Sequence, residues 1–246
     1  MNILLFTASE CINNTVNLHP GDKRHSHLCT VIKPTYGQRL NIGILHGALA
    51  QVKVSTHLCH TKPITLSIVS GSERLPPSPV PITVVLALPR PKVFKRVVHS
   101  LSELGVKQLH CIHSQKVEKS YWQSPLLKPE RWTPWIHEGL CQAKDTMPIT
   151  IDTHRWFKPF VEDTLPTIIG TQPAWLAHPY ATRHINQLSP PCAPAVVIIG
   201  PEGGFTPYEV QLIEQQGVTT VTLGERIYRT ETAIQQLLAN FMGNIR

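Results

Sequence analysis

Long hydrophobic runs are missing from this 246-residue chain. Its most apolar stretches, VVLAL at 84–88 and AVVII at 195–199, fall far short of the roughly 18 residues that a membrane-spanning helix needs. A soluble protein without membrane partners is expected. Charge is scarce as well, at 16% of residues against about a quarter in ordinary domains. What charge there is leans one way: 23 basic residues face 16 acidic ones, a formal +7, with 13 histidines besides. That balance favours a polyanionic partner and puts nucleic acid first. The six cysteines, Cys11, Cys29, Cys59, Cys111, Cys141 and Cys192, are scattered with no CxxC, which fits neither a disulfide framework nor a zinc ribbon. Reduced, packed thiols are expected. The 41% hydrophobic content excludes disorder, collagen and coiled coil. MNILLFTASE at the start has no basic region and no small-residue cleavage site, so it reads as a first strand rather than a leader, with the cytoplasm as the expected compartment.

Proline, by contrast, is abundant, with 22 against 14 glycines. Four prolines fall within SERLPPSPVPI at 72–82, a stiff stretch unable to pair as a central strand. We therefore expect a domain over 1–75, a linker over 76–81 and a second domain over 82–246. The first holds seven basic and three acidic residues and the second sixteen and thirteen, so positive charge is denser in the smaller part. There QRLNIGILH (38–46), ALAQVKVSTHL (48–58) and PITLSIV (63–69) alternate apolar and polar residues, with His46-Gly47 at a tight turn. This predicts a small β-barrel. HSHLCTVIKP (25–34) spaces Leu28, Val31 and Ile32 as one helical face before Pro34, predicting one short helix.

The second part alternates differently. ITVVLAL (82–88) reads as a buried parallel strand, and KVFKRVVHSLSELG (92–105) repeats Val93, Phe94, Val97, Val98, Leu101 and Leu104 at helical spacing before a glycine. Strands at 108–112, 149–151, 173–178, 195–199 and 218–223, and a helix bearing Trp132, Trp135, Ile136 and Leu140, continue the pattern. The expected fold class is α/β with a mostly parallel sheet.

Chemistry concentrates near the carboxyl terminus. In AVVIIGPEGGFTPYEVQLIEQQG (195–217) a strand runs into a glycine-rich turn and then a helix, with Thr206 and Glu209 as a capping box, Pro207 at the first helical position and Gly217 closing the helix. Gly200, Gly203 and Gly204 thus lie at the carboxyl end of a strand, where open α/β sheets bind ligands. A plain tight turn explains the glycines equally well. A phosphate loop is disfavoured, because Glu202 would repel phosphate and no lysine is present. In VTTVTLGERIYRTETAIQQLLANFM (218–242) another strand ends in a glycine-containing loop with Arg226 and Arg229, followed by a helix whose buried side carries Ala233, Ile234, Leu237, Leu238, Phe241 and Met242. Arg229 and Glu231 could simply pair on the surface, which is worth little.

GPEGGFTPYEV followed by LGERIYRTETA resembles the signature of the RsmE family of 16S ribosomal RNA uridine methyltransferases, in the SPOUT class. ALPRPKVFKRVVHSLSELGV and EGLCQAKDTMP (138–148) extend the likeness over nearly the whole chain. The resemblance implies a C-terminal trefoil knot, one of the few exceptions to the rule against threaded chains, preceded by a PUA-like RNA-binding barrel. It implies S-adenosyl-L-methionine as cofactor, held between three loops: Leu176, Ala177, His178 and Pro179; Gly200, Pro201, Glu202, Gly203 and Gly204; and Leu223, Gly224, Ile227, Arg229 and Thr230 within 223–230. A homodimer would complete the site. Methylation of uracil N3 needs a base to remove its proton and a cation to steady the anion; Glu202 or Glu231 is the candidate base and Arg229 the candidate stabiliser. The family is also expected to act on RNA within the assembled small subunit.

Basic side chains are the candidates for RNA contact: Lys92, Lys95 and Arg96 at i, i+3 and i+4 opposite Val93 and Val97, and Lys23, Arg24, Lys33 and Arg39 in the barrel. Lys116 and Lys119 extend this set, and a merely solvated helix face is the competing reading for the first three. His25, His27 and Cys29 alternate, but on a helix they would not share a side, so no metal is expected. The tryptophans read as packing, with Trp122 the least certain. Glu225 and Tyr228 stand where the family usually has proline and leucine, Lys33 replaces a customary arginine, and LHGALAQVKV lacks the usual acidic residue and glycine pair. A related knotted methyltransferase acting on another RNA, or a noncatalytic ribosome-assembly protein, are the alternatives.

Overall fold

The structure, a computed structural model, describes residues 2–188 and 194–242, so that Cys192 and the side chain of Met242 lie outside it. Contacts divide the chain into two units, Met1–Ser78 with His137–Pro148, and Pro79–Ile136 with Ile149–Arg246.

In the first unit β1 (Leu4–Phe6), β2 (Thr15–Leu18), β3 (Arg39–Ile44), β4 (Leu49–Val54) and β5 (Ile64–Ile68) form one sheet in the order β1-β3-β4-β5-β2. Only β1 and β3 run parallel. The two ends of the sheet are not paired with each other, so the expected barrel takes the form of a curled half-barrel. Alternation does the work: Ile42, Val52, Val54, Ile64 and Leu66 face a core completed by Phe6, Leu18 and Leu28, while Lys53 between two of them is exposed. His46, at φ 61, takes the left-handed turn position that joins β3 to β4. Residues from His137–Pro148 belong to this unit. The Cys141 carbonyl accepts the Asn2 and Ile3 N–H groups at 3.0 and 3.2 Å, and Thr146 Oγ1 donates to the Gly47 carbonyl at 2.6 Å.

The expected short helix is interrupted. α1 (Lys23–His27) passes into a π turn over Leu28–Ile32, in which the Lys33 N–H reaches five residues back to the Leu28 carbonyl at 2.8 Å. The wider turn rotates the side chains out of α-helical register, so Leu28 and Cys29 are buried while Val31 is 65% exposed. Lys33 then adopts the left-handed conformation (φ 48) before Pro34, which disfavours continued helix at that residue.

Arg24 is a second departure. Its guanidinium donates to Asp22 at 2.6 Å, to Glu10, and to the Leu5 carbonyl at 2.7 Å, and lies 4.6 Å from the centre of the Phe6 ring. A phosphate would have to displace two carboxylates, so this arginine is a structural tie rather than an RNA contact. Lys23, Lys33 and Arg39 are exposed.

The second unit strings parallel strands and helices together: β6 (Val80–Ala87), α2 (Pro91–Glu103), β7 (Val106–Ile112), α3 (Pro129–Ala143, of which the residues to Ile136 count here), β8 (Thr150–His154), α4 (Phe157–Pro159), α5 (Leu165–Ile169), β9 (Ala174–Ala177), β10 (Ala195–Ile199), α6 (Pro207–Glu214), β11 (Thr219–Val221) and α7 (Thr230–Met242). The sheet order is β11-β9-β10-β6-β7-β8, all parallel. β6 begins earlier than expected and contains Pro81, which has no N–H to give a ladder; its register against β7 shifts between Val80 and Thr83, a bulge that lets the proline stay in a central strand. Phe94, Val97, Val98 and Leu101 of α2 are buried, as are Ile234, Leu237, Leu238 and Phe241 of α7. No helix among the described residues is long and apolar enough to cross a membrane.

The Arg24 cluster makes the protein acid-sensitive. Hydrogen bonds from Arg24 hold the Asp22 carboxyl below its usual range, and at Glu10 they join the Thr7 N–H in outweighing a burial effect of opposite sign. Carboxyls depressed in the folded state add stability above the unfolded range of about 4, and lose it as pH falls through the lower folded values. The melting-temperature gap between wild type and Arg24→Ala should therefore be widest near about pH 6 and close by about pH 3, as read by circular dichroism.

Candidate functional site

The ends of three strands lie side by side. Ile199 of β10 pairs with Ala177 of β9, which also pairs with Val221 of β11. The chains leaving them, from 178, 200 and 222, therefore emerge together at the carboxyl edge of the sheet. The first and third are laced to each other: the His178 N–H donates to Val221 O at 2.8 Å, Thr222 N–H to Arg183 O at 2.8 Å, and Ile185 N–H to Thr222 O at 3.0 Å.

The glycine-rich loop is clamped from behind. Thr206 and Glu209 form the expected capping box at the start of α6, with Pro207 at its first position. Glu209 is only 3% exposed; one oxygen accepts the Gln115 N–H at 2.7 Å and the other accepts the Thr206 N–H and hydroxyl at 2.8 and 3.0 Å. Lys116 Nζ donates to the Gly203 carbonyl at 2.8 Å, and its stem lies so close that a Cβ on Gly203 would sit 3.1 Å from Lys116 Cδ. In the third loop Gly224 has φ +123, a conformation that side chains rarely adopt, fixed by its N–H on Thr222 Oγ1 at 3.2 Å.

Between these loops lies a cavity of about 620 Å³, within the range of small-molecule and cofactor sites. Among the residues expected from sequence, Ala177, His178, Gly200, Pro201, Glu202, Gly204, Leu223, Gly224, Ile227, Arg229, Thr230 and Glu231 line it. Leu176 and Gly203 do not line it: Leu176 is fully buried within β9, and Gly203 turns its back to Lys116. Sequence reasoning missed the start of α2, from which Arg90 and Val93 line the cavity, along with Phe205 and Thr222; Arg226 and Tyr228, within the expected 223–230 loop, line it too.

Arg96 also lines the cavity, three residues after Val93 on α2, a spacing that could have revealed it. Its guanidinium pairs with Glu231 at 2.8 Å, so the expected phosphate-facing trio breaks up. Lys95 extends over the Trp135 ring, Nζ 5.7 Å from its centre, and Lys92 is exposed. The suspected Arg229–Glu231 pair does not form. The side chains of Arg226 and Arg229 have no hydrogen-bond or ion-pair partner among the described residues. Glu202 Oε1 accepts the Arg90 backbone N–H at 3.1 Å. Burial, the largest influence, lowers the His178 pKa, with Glu214 opposing and Lys116 assisting, so this imidazole is neutral at pH 7. The cavity thus joins a floor of backbone amides and apolar side chains to four arginines and two carboxylates. Such a site suits an uncharged ring system beside a group that becomes anionic.

An RNA methyltransferase domain family model matches residues 76–242. "Ribosomal RNA small subunit methyltransferase E" of Treponema pallidum is 26% identical over 247 residues, covering 99% of this chain and 91% of that protein. Its namesake from a Synechocystis species is 30% identical over 192 residues, covering 74% and 58%. A crystal structure of the protein of that name from Neisseria gonorrhoeae, bound to S-adenosyl methionine, superposes with a TM-score of 0.71 at 19% identity over 98% of this chain and 96% of that one. A putative methyltransferase of Legionella pneumophila in complex with the same cofactor gives 0.75 at 19% identity over 98% and 97%. These likenesses carry the fold: a SPOUT-type α/β domain preceded by a PUA-like half-barrel.

Removing the clamp should loosen the glycine-rich loop. Glu209→Ala leaves the Gln115 and Thr206 donors without their buried acceptor, and the expected cost is about 2–4 kcal/mol. Denaturant midpoints would show it, and an unchanged midpoint would rule the clamp out.

Proposed function

The chain belongs to the RNA methyltransferase family, and we propose that it transfers a methyl group from S-adenosyl-L-methionine to N3 of a uridine in 16S ribosomal RNA of the small subunit. The observation that carries this reading is the cavity at the level strand ends, where a backbone floor meets two unpartnered arginines. The names of the Treponema and Synechocystis relatives, and the cofactor bound in the Neisseria and Legionella structures, support it.

The residues present fit the cofactor. Gly200, Gly204 and Gly224 let backbone amides approach an adenosine without intervening side chains, and Leu223 and Ile227 offer apolar faces to a purine. S-adenosylmethionine supplies, when bound, a methyl group already activated by its sulfonium. The chain then has two tasks. It must hold the uridine so that N3 approaches in line, and it must take the N3 proton and steady the resulting anion. Glu202 and Glu231 both face the cavity as candidate bases, and Arg96 fixes the orientation of the Glu231 carboxylate. Arg229, whose guanidinium is uncommitted, is placed to donate to a uracil oxygen as negative charge develops there.

The remaining assignments follow the same reading. The domain over 1–75, together with His137–Pro148, is the RNA-binding half-barrel, with Lys23, Lys33 and Arg39 available to phosphates; the chain passes to the catalytic domain within the expected linker of 76–81, where Val80 already opens β6, and the rest of 82–246 is that domain. A homodimer would cover Ile227 and Tyr208, which are 71% and 57% exposed beside the cavity loops. The assembled small subunit is the expected substrate, and the cytoplasm the expected place.

Arg229→Ala and Glu231→Gln should bind S-adenosylmethionine within about threefold of wild type by calorimetry, yet lose about a hundredfold or more in methyl transfer to 16S ribosomal RNA. Normal transfer by both variants would remove these two roles. Mass-spectrometric mapping of ribosomal RNA from a deletion strain should lack one 3-methyluridine, and a complete set of methyluridines would overturn the reaction itself.

A further inference from the structure

The carboxyl edge of the parallel sheet continues beyond the cavity, over the ends of β7 and β8, and the side chains there serve no role derived so far. A short helical turn over Lys119–Gln123 carries Tyr121 and Trp122. The Trp122 indole donates to His113 Nδ1 at 2.9 Å, which fixes the plane of its ring. Arg155 lies across that ring, Cζ 5.7 Å from its centre, and donates to the Trp122 carbonyl at 3.4 Å. The next residue, Trp156, is 76% exposed, with its ring open to a stacking partner. Phe157 then meets Phe205 of the cavity wall at 6.0 Å between ring centres, so this surface is continuous with the site.

Charge points to the occupant. Arg155 and Lys119 meet no carboxylate among the described residues, Lys158 is paired with Glu162 at 3.6 Å, and Glu118 is turned to the Tyr121 hydroxyl at 3.1 Å. An exposed ring at Trp156 beside the exposed cations Arg155 and Lys119, with Arg155 backed by the half-buried Trp122, is a surface that single-stranded nucleic acid can take, a base stacking on the open ring and phosphates meeting the cations. Double-stranded RNA offers no base faces to such a surface.

We propose that Trp156, Arg155 and Lys119, with Trp122 holding Arg155 in place, bind the unpaired nucleotides flanking the target uridine, as a single-stranded RNA track leading into the cavity. This rests on the reading of the protein as an RNA methyltransferase and adds to it the surface that selects an unpaired target. The test uses full-length protein with small subunits, and with deproteinised 16S ribosomal RNA, from cells lacking the enzyme. Trp156→Ala should raise KM for RNA about tenfold or more, with kcat and S-adenosylmethionine affinity little changed, and Trp156→Phe should restore most of it. Arg155→Ala should flatten the salt dependence of RNA binding by about 0.7 in the log–log slope. Unchanged KM and salt slope in an enzyme that still methylates would sink the track alone. A changed sedimentation coefficient for Trp156→Ala would overturn it in favour of an interface between copies. A wild-type protein that binds S-adenosylmethionine yet methylates neither substrate would instead defeat the functional reading beneath it.

Discussion

Parallel pairing sets Ile199 level with Ala177 on one side and Leu86 on the other, and Val221 level with Ala177. Because the strands run in one direction, every chain leaving them does so at one edge, at spacings of about 4.8 Å. Three segments far apart in sequence are thereby delivered to one place. A slip of one residue in β9, which is buried on both faces, would turn each of its side chains to the opposite face of the sheet and misplace both His178 and the third loop, which is hydrogen-bonded to the first. The cavity is therefore a property of register, and no single motif could make it.

Register alone does not make a binding floor, because glycine-rich chain is costly to order. The structure meets that cost from behind the loop. Glu209 holds the start of α6 to the chain that follows β7, and Lys116, from the same segment, caps the Gly203 carbonyl. The amides of the loop are thus fixed before any ligand arrives, which is the condition under which fixed dipoles act without reorganising. The capping box seen in the sequence turns out to have a second purpose: the same Glu209 carboxylate that closes the helix also reaches Gln115, a tertiary contact that no local pattern announces.

Legibility in the sequence followed the range of the interaction. Periodicity revealed β3, β4, β5, α2 and α7, because burial on one face leaves a mark every two or every three to four residues. β2 escaped, since Thr15–Leu18 is too short to show a period. Val31 was misplaced because a π turn shifts the angle per residue, a change driven by the core around Leu28 and by Pro34 rather than by propensity. Arg24 looked like any other basic residue until Glu10 and Asp22 were brought beside it. Most of the cavity residues were legible through family resemblance, whereas Arg90, Val93 and Arg96 approach from a helix whose orientation the sequence does not state. Leu176 and Gly203 belong to the right loops but face away, a distinction of direction that only coordinates supply.

The charge of the cavity narrows the chemistry further. Arg96 is paired with Glu231, and the Arg90 guanidinium is held by the Tyr121 hydroxyl and by the nearby charges of Glu202 and Glu118, so the uncommitted cations are Arg226 and Arg229. His178 adds none at neutral pH, because burial depresses it; its charge would appear only on acidification below its lowered pKa. The sulfonium of the methyl donor gains nothing from a guanidinium beside it, although its methionine carboxylate can take one of the two. The other makes sense if a second participant is anionic, and RNA supplies this twice over, in its phosphates and in a ring that has given up its proton. Cytosine carries no proton at N3, and a purine amino group reacts without first becoming an anion, so neither calls for a guanidinium held ready at a ring oxygen. The unpaired state of Arg229 thus suits a ring N–H beside a ring oxygen, as in uracil N3 or guanine N1, and the choice of uracil between them rests on the family.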